Sequence, residues 1–231
     1  KGIEFSHIVK KGQTFADVAL EQAVPYAAED ADFTYQLWEK FNSKIKDSEE
    51  TQKLFAMEMN LLPVLAEMEI TGIHLNSAAL EQYNIELTRG IEDAEQEIYK
   101  EAGHEFNIAS PKQLQTVLFE ERKLKPGKKT KTGYSTDTSV LEELAMYDAI
   151  PKMILEYREM AKLQSTYVET LPKLCDANGR IHTDFVQTGT ATGRLSCREP
   201  NLQNIPVRNE AGRRIRSAFT APDGKVLISA D

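Results

Sequence analysis

The feature that most constrains the fold of this chain is a change of pattern near Pro172. Before this proline, apolar residues recur at spacings of three and four, which predicts amphipathic helices. After it come short segments rich in β-branched and aromatic residues, which predict strands at 181–188, 217–221 and 225–230. The predicted fold class is therefore α+β, mainly helical, with a small antiparallel sheet at the C-terminal end.

The helical part divides into segments with identifiable ends. Residues 1–45 predict a short helical region that lacks a core of its own. A longer helix is expected over 49–70, where Gly72 is placed as its stop, and another over 77–102. Their long apolar stripes predict packing on each other or on neighbouring elements.

Polar residues mark the starts of three further helices. Ser110 is expected to cap a helix that Pro111 enters, with Gln113 reaching back to complete a capping box. A Ser/Thr/Asp cluster at 135–139 starts the next helix. The last long helix is expected over 151–171.

Composition is typical of a globular protein with one large or two small domains: 231 residues, 41% hydrophobic and 28% charged. No apolar run approaches the roughly 18 residues that span a bilayer, and no basic-then-apolar segment opens the sequence. We therefore expect no membrane partner and no secretory signal. Cys175 and Cys197 stand apart and lack ligand-spaced histidines, so they indicate neither a zinc site nor a disulfide framework and fit a reducing cytoplasm.

The net charge of −8 does not exclude a nucleic-acid partner. A bound ligand responds to the local field, because salt screens charges beyond about 10 Å. Residues 122–131, here called the lysine loop, hold six cations and no acid, and residues 194–216 carry six arginines and two glutamates. Acidic residues concentrate elsewhere, notably over 81–101. Local charge therefore permits a DNA ligand without proving one.

Residues 190–208 form a loop of unusual composition, T-A-T-G-R-L-S-C-R-E-P-N-L-Q-N-I-P-V-R. The minor groove of DNA presents hydrogen-bond acceptors at equivalent places on every base pair. Donors such as Arg194, Asn201 and Gln203 can therefore check the shape of a pair without reading its sequence. By composition alone, the interpretation as an ordinary solvated turn is the preferred one.

The same stretch resembles the motif that leads into the palm of family A DNA polymerases. Further blocks with this resemblance follow the family order: S-P-K-Q-L-Q-T-V-L-F-E at 110–120, E-Y-R-E-M-A-K-L-Q-S-T-Y at 156–167, N-E-A-G-R-R-I-R-S-A-F at 209–219 and V-L-I-S-A-D at 226–231. Several separated blocks in order are far more specific than one motif. The chain is identified as a member of this family, similar to its bacterial members, with phage and organelle relatives as the alternative.

The resemblance implies a domain order. Residues 1–46 would be the end of a 3′–5′ exonuclease domain, 47–75 a connecting helix, 76–170 a helical thumb, and 171–231 the first part of the palm. It also implies template-directed nucleotidyl transfer to a primer 3′-hydroxyl with two magnesium ions. The expected partners are primer-template DNA and deoxynucleoside triphosphates. A monomer in the bacterial cytoplasm, associated with the nucleoid, is expected.

The resemblance also implies 3′–5′ proofreading exonuclease activity in the full-length parent. The chain as given is expected to bind primer-template DNA but to catalyse neither primer extension nor exonuclease cleavage alone, because the family's other motifs lie outside it. The alternative is a free-standing DNA-binding module without catalysis. Magnesium-dependent primer extension by the isolated chain would contradict the expected inactivity.

The resemblance assigns metal chemistry to three residues. Tyr26 and Asp30 match the last exonuclease motif, in which the Asp binds metal and the Tyr helps to place the attacking water. Without that context, such a pair is ordinarily a half-buried aromatic beside a solvated acid. Asp231 matches the palm carboxylate that binds both magnesium ions of the polymerase site. A carboxylate after an apolar strand is costly unless it faces water or metal.

The resemblance assigns phosphate contacts to the thumb. Lys128, Lys129 and Lys131 are expected to hold phosphates of the duplex, where the alternative is a solubilising loop. Arg158 and Lys162, four residues apart on one helix face, would face the primer-template. For Arg158, intrahelical charge pairing is the alternative.

The palm-entry loop receives the minor-groove contacts. Arg194 would lie at the primer terminus, Asn201 and Gln203 further along the groove, and Arg208 near the template or the incoming nucleotide. Arg198 is not assigned this role, because an exposed arginine there has only phosphate within reach.

Overall fold

The structure is a computed structural model that describes residues 2–130, 133–207 and 209–228. Three residues predicted to belong to functional sites, Lys131, Arg208 and Asp231, lie outside these ranges. The chain divides into two compact units, residues 1–66 and 67–231. Over the described ranges, every helix is too short or too polar to cross a membrane.

The first unit is helical. It contains α1 (Phe5–Ile8), a 3-10 turn (Phe15–Asp17), α2 (Leu20–Lys46) and the first part of α3 (Glu49–Thr71). The rings of Phe5, Phe15 and Tyr26 meet with centroid separations of 5.7 to 6.2 Å. No residue over the described range 2–64 is buried, which confirms the expected lack of a core in residues 1–45.

The two long predicted helices have the expected ends. α3 stops before Gly72, which has a φ of +63° and leads into β1 (Ile73–His74). A Cβ at this glycine would lie 2.7 Å from the Ile181 carbonyl oxygen, so both the backbone angle and the close approach require glycine. α4 (Ser77–Ala102) is capped by Asn76, whose side chain accepts from the Ala79 amide at 3.2 Å.

The next segment contains α5 (Pro111–Gln115) and a π-helical turn over Thr116–Glu121. Ser110 caps α5 as predicted, with its side chain accepting from the Gln113 amide. The predicted capping box is wrong in its second half. The Gln113 side chain accepts from the Asn107 amide at 2.7 Å instead of reaching Ser110, because the chain before the cap turns back over the helix start.

A short hairpin and two helices complete the helical part. β2 (Lys129–Thr130) pairs antiparallel with β3 (Gly133–Tyr134), and α6 spans Thr138–Leu144. α7 (Ala149–Leu163) starts two residues before the predicted Pro151, because Asp148 accepts from the Ile150 amide at 2.9 Å and caps it there. A π-helical turn (Gln164–Val168) and a 3-10 turn (Leu171–Leu174) continue from α7.

The strands form small antiparallel pairs, as the predicted fold class requires. β4 (Arg180–Ile181) pairs with β1, and β5 (Asp184–Val186) pairs with β6 (Ser196–Arg198). A 3-10 turn (Leu202–Asn204) and α8 (Glu210–Ser217) follow.

Two predicted strands are wrong over the residues that the structure describes. In the segment 217–221, Ser217 ends α8 and only Phe219 pairs, by a single bridge to Leu75. Residues 225–228 have no regular secondary structure, and 229–230 lie outside the described ranges. A β-branched sequence forms a strand only beside a partner strand, and no described strand lies next to 225–228.

The second unit has two separate hydrophobic cores. The first core joins the start of α4, the end of α7, β4 and α8, with Leu80, Leu163, Ile181 and Ile215 among its members. The second core joins the end of α4, α5, α6 and the start of α7. α4 and α7 run through both. Between the cores, residues 88–97 of α4 and 155–162 of α7 contain no buried residue.

Candidate nucleic-acid interface

A cleft of about 420 Å³ brings together two residues predicted from different motifs, Lys162 and Asn201. Tyr167 and Asn204 also line it, and the Tyr167 hydroxyl donates to the Asn204 carbonyl at 2.5 Å. This bond ties the 3-10 turn after Asn201 to the π-helical turn that continues α7. The ammonium of Lys162 is exposed, so the cleft has a cation on one wall and an amide on the other.

The orientation of the Asn201 amide is fixed by its oxygen. Oδ1 accepts from the Gln203 backbone amide at 3.0 Å and from the Cys197 thiol at 3.7 Å. With the oxygen occupied by two donors, the amide nitrogen is the end of the group with hydrogens to offer. Asn201 therefore offers hydrogen-bond donors from its amide nitrogen.

The backbone around Arg194 is held from both sides. The Gln203 side chain donates to the Leu195 carbonyl at 3.1 Å, and the Thr190 hydroxyl donates to the Arg194 carbonyl at 2.7 Å. The Arg194 side chain itself is exposed, and no ion pair within the described ranges involves it. In this structure Gln203 thus supports the loop.

Several arginines of residues 194–216 have their charge engaged within the protein. Arg198 pairs with Asp184 at 2.6 Å, and this carboxylate raises the pKa of Arg198. Arg213 pairs with Glu210 at 3.1 Å. Arg214 pairs with Glu86 at 2.7 Å and stacks 4.0 Å above the Tyr83 ring. The positive charge free for a ligand is therefore smaller than the count from the sequence.

The lysine loop also contains one arginine with a structural role. Arg122 is half-buried and donates from Nε to Asp148 at 2.6 Å and from Nη2 to Glu101 at 3.0 Å. Lys128 and Lys129, in contrast, are exposed. The Ser135 amide donates to the Lys128 carbonyl at 2.8 Å, which anchors the hairpin to the segment before α6.

Arg158 makes contacts that neither sequence interpretation included. Its guanidinium is half-buried and donates to the Thr136 carbonyl at 2.5 Å and to the Thr136 hydroxyl at 3.5 Å. Burial lowers the pKa of Arg158. The phosphate contact expected for it remains a prediction.

Sequence reasoning missed the supporting polar residues. Ser135 and Thr136 are both 8% exposed, although their cluster was interpreted only as a helix start. Gln164 donates to Asn84 at 2.9 Å and to Thr88 at 2.8 Å, which links the π-helical turn after α7 to α4. The Ser/Thr/Asp cluster was the available signal for the first group. No signal in the sequence indicated the contacts of Gln164, because a single glutamine next to apolar helix residues does not reveal its partners.

The exonuclease-like pair lies on α2 of the first unit. Tyr26 is half-buried and Asp30 is exposed. Desolvation raises the pKa of Tyr26, and the charge and hydrogen bond of Asp30 raise it further. The two side chains therefore interact, as their spacing of four on a helix predicts.

The described residues do not make a magnesium site by themselves. They contain no group of three or more histidine, cysteine, aspartate or glutamate side chains that could hold a metal ion. Magnesium binding requires several oxygen ligands in octahedral geometry, and Asp30 supplies one carboxylate. Asp231 lies outside the described ranges. Cys175 and Cys197 are free thiols.

The sequence was compared with the profiles of known protein families. The sequence profile of DNA polymerase family A matches residues 77–231, and the profile of a 3′–5′ exonuclease matches residues 2–46. The chain belongs to DNA polymerase family A.

The chain is similar to bacterial enzymes named DNA polymerase I. It is 53% identical over 229 residues to that of Treponema pallidum, which covers 99% of this chain and 23% of the relative. It is 42% identical over 232 residues to that of Borreliella burgdorferi, which covers 100% of this chain and 25% of the relative. The chain thus spans about a quarter of the length of these curated relatives.

A solved structure is also similar, the POL domain of Pol1 from M. smegmatis in complex with DNA primer-template and dNTP. The TM-score is 0.78 at 39% identity, over 94% of this chain and 39% of that chain.

Proposed function

We propose that this chain forms the duplex-binding part of a DNA polymerase, which extends a primer by template-directed nucleotidyl transfer. The observation that carries the proposal is the structural similarity to a polymerase domain solved with primer-template DNA and dNTP. In this proposal, residues 1–46 are the C-terminal end of an exonuclease domain and residues 47–75 are a connecting helix. Residues 76–170 form the helical thumb, and residues 171–231 are the first part of the palm. The protein is a monomer in the bacterial cytoplasm, associated with the nucleoid.

The cleft between Lys162 and Asn201 is the proposed binding site for the duplex near the primer terminus. The Asn201 amide nitrogen and the Lys162 ammonium both carry donors and no free acceptor. They suit the acceptors that the minor groove offers at every base pair. Arg194 and Gln203 lie on the adjoining loop, and Arg208 is assigned to the template or nucleotide. A mismatch displaces those acceptors, which leaves donors unpaired and slows extension.

The exposed Lys128 and Lys129, with Lys131, are proposed to hold phosphates of the same duplex. Such contacts position DNA without reading its sequence and make the affinity depend on salt.

Catalysis is proposed for the longer protein. Asp231 in the palm and Asp30 in the exonuclease domain would hold magnesium together with residues beyond this chain, and Tyr26 would place water beside Asp30. Magnesium supplies Lewis-acid chemistry for phosphoryl transfer when bound. Because the chain spans about a quarter of its relatives, we propose that the 231-residue polypeptide binds primer-template DNA but does not extend a primer.

The sharpest test is Asn201→Asp, which is nearly isosteric. The carboxylate still accepts from the Gln203 amide, so the local turn is kept, but the donors that face the cleft become acceptors. We expect the affinity for a primer-template duplex to fall about tenfold or more, since one lost bond with an unpaired group costs about 1–3 kcal/mol.

The matched control is Asn107→Asp, an exposed turn asparagine that changes the net charge by the same amount. Fluorescence anisotropy with a labelled duplex at fixed salt measures both affinities. Equal losses of duplex affinity in the two variants would show that only net charge determines binding. Absence of duplex binding by the parent chain would contradict the proposed function. Nucleotide incorporation by the polypeptide with Mg²⁺ and dNTP would contradict its proposed inactivity.

A further inference from the structure

We propose that Arg158 is a positioning residue, which holds the segment before α6 and, through it, the DNA-binding lysines. Its contacts lie inside the protein and leave the phosphates to Lys128 and Lys129. The inference rests on the proposed function insofar as the lysine loop must bind DNA. The bonds within the protein stand independently of that assumption.

The first step is the burial of the Arg158 guanidinium. Within the described residues, both of its hydrogen bonds go to Thr136, one to the backbone carbonyl and one to the hydroxyl. Thr136 is 8% exposed, so water has little access to that carbonyl. A buried carbonyl without a donor is unfavourable, and Arg158 is the donor that satisfies it.

The second step is the connection from Thr136 to Lys128. The neighbouring Ser135 donates its backbone amide to the Lys128 carbonyl at 2.8 Å. One residue further along, Lys129 pairs with Tyr134 in the hairpin, and the Tyr134 amide donates to Gln115 Oε1 at 3.0 Å. The segment that Arg158 holds is therefore bonded to the backbone that carries the lysines.

The third step is the side chain of Asp137, which caps α6. It accepts from Ser135 Oγ at 2.7 Å, Ser139 Oγ at 2.9 Å and the Val140 amide at 3.1 Å. These bonds lower the pKa of Asp137, with a further contribution from the charge of Lys128. The Lys128 ammonium is thus within electrostatic range of the Asp137 carboxylate.

Together these contacts make one bonded path from α7 to the lysine loop. Without the guanidinium, the Thr136 carbonyl must find another donor, so residues 135–137 shift and Lys128 shifts with them. Loss of Arg158 is then expected to remove the phosphate contact of Lys128, although the lysine itself is unchanged.

The test compares Arg158→Met, Lys128→Ala, the double variant and a control, Lys152→Met. Lys152 lies on the same helix, is exposed and pairs only loosely with Glu156 at 3.8 Å, so it removes the same charge without touching the path. For each protein, the affinity for a primer-template duplex is measured across a salt series. One lost phosphate contact reduces the slope of log K against log salt by about 0.9.

We expect Arg158→Met and Lys128→Ala each to reduce the slope by about 0.9, and the double variant to reduce it no further. Lys152→Met should leave it unchanged. A direct phosphate contact by Arg158 would make the two reductions additive and would overturn the proposal. A reduced melting temperature with an unchanged slope would show a role in stability alone and would overturn it as well.

Hydrogen exchange of the Ser135 amide separates this inference from the proposed function. In the protein without DNA, Arg158→Met should accelerate that exchange at least tenfold relative to Lys152→Met, and equal rates would refute the path. If Lys128→Ala leaves the salt slope unchanged while Ser135 exchange accelerates, the DNA-binding role of the loop fails and the positioning of the segment stands.

Discussion

At the scale of single residues, His104 has an acceptor facing each of its ring nitrogens. Nδ1 lies 3.1 Å from the Glu105 carbonyl and Nε2 lies 2.8 Å from the Glu121 carboxylate. A carbonyl and a carboxylate can only accept, so both ring nitrogens must carry hydrogens. The folded protein therefore favours the imidazolium. The Glu121 hydrogen bond raises the pKa of His104 most, followed by the bond to Glu105.

This pair predicts a pH dependence of stability. Because the folded pKa lies above the unfolded value of about 6.5, the contribution is complete below pH 6.5 and is lost as pH rises through the folded pKa. The unfolding free energy from urea titrations should fall from pH 6 towards pH 8 in the parent chain and less in His104→Gln. Glu121→Gln should flatten the same profile. Identical profiles in all three proteins would contradict the assignment.

Residue pairs across the fold were only partly predictable from sequence. The family motifs indicated Lys162 and Asn201 separately, and the structure brings them to one cleft. The partner of Arg158 was not predictable. Helical periodicity gives the face on which a side chain lies, whereas Thr136 reaches that face through the tertiary packing of α6 on α7.

At the scale of elements, Arg122 joins three helical ends. It follows the π-helical turn after α5, donates to the Glu101 carbonyl and carboxylate at the end of α4, and pairs with Asp148, the cap of α7. The Asp148 side chain is only 11% exposed, so Arg122 is the cation that pairs with it away from water. A half-buried carboxylate that loses its cation is left both desolvated and unpaired.

We expect Arg122→Met to destabilise the chain by about 1–3 kcal/mol through that unpaired carboxylate. Lys123→Met, at the exposed neighbouring position, should change stability by less than about 0.5 kcal/mol. Urea denaturation measures both. The duplex salt slope should stay unchanged in Arg122→Met, because its charge is used inside the protein. Equal stabilities of the two variants would contradict this role.

Helix ends were more predictable than strands for a physical reason. α3 and α4 carry their own apolar stripes, and Asn76 and Gly72 mark their boundaries locally. A strand depends on a partner that its own sequence does not specify, so 217–221 and 225–228 were misassigned. The π-helical turns over 116–121 and 164–168 also escaped prediction, since their apolar spacing is indistinguishable from that of an α-helix.

At the scale of the whole molecule, the two units differ in how they are stabilised. The second unit contains both hydrophobic cores, and every core member lies at Ile73 or later. The first unit exposes large apolar side chains along α2 and α3, including Leu37, Trp38, Leu54 and Met57. Exposed apolar surface of this extent is typical of a region that packs on further protein.

Removal of residues 1–46 should therefore leave the rest of the chain folded. We expect the melting temperature of the 47–231 polypeptide to stay within about 2 °C of that of the full chain, no more than the shift of about 2–4 °C that 1 kcal/mol of lost stability produces in a chain of this size. The duplex affinity should stay within about twofold, well below the tenfold that 1.4 kcal/mol represents. Differential scanning fluorimetry and anisotropy measure these quantities. A large loss of either would show that α2 supports the second unit.

The gap between the two cores has a mechanical consequence. Over ten residues, about 15 Å of α4, the helix pair has no buried side chain, and Gly90 brings the backbone close to Met160, whose sulfur would lie 3.1 Å from an added Cβ. Contact between the two helices is maintained there, because Met160 packs against the first core and the Tyr157 hydroxyl donates to the Glu95 carboxylate at 3.1 Å. The middle of the helix pair is thus held by a close backbone approach and half-buried side chains, so a larger residue at Gly90 would separate α4 from α7 without removing any buried core residue.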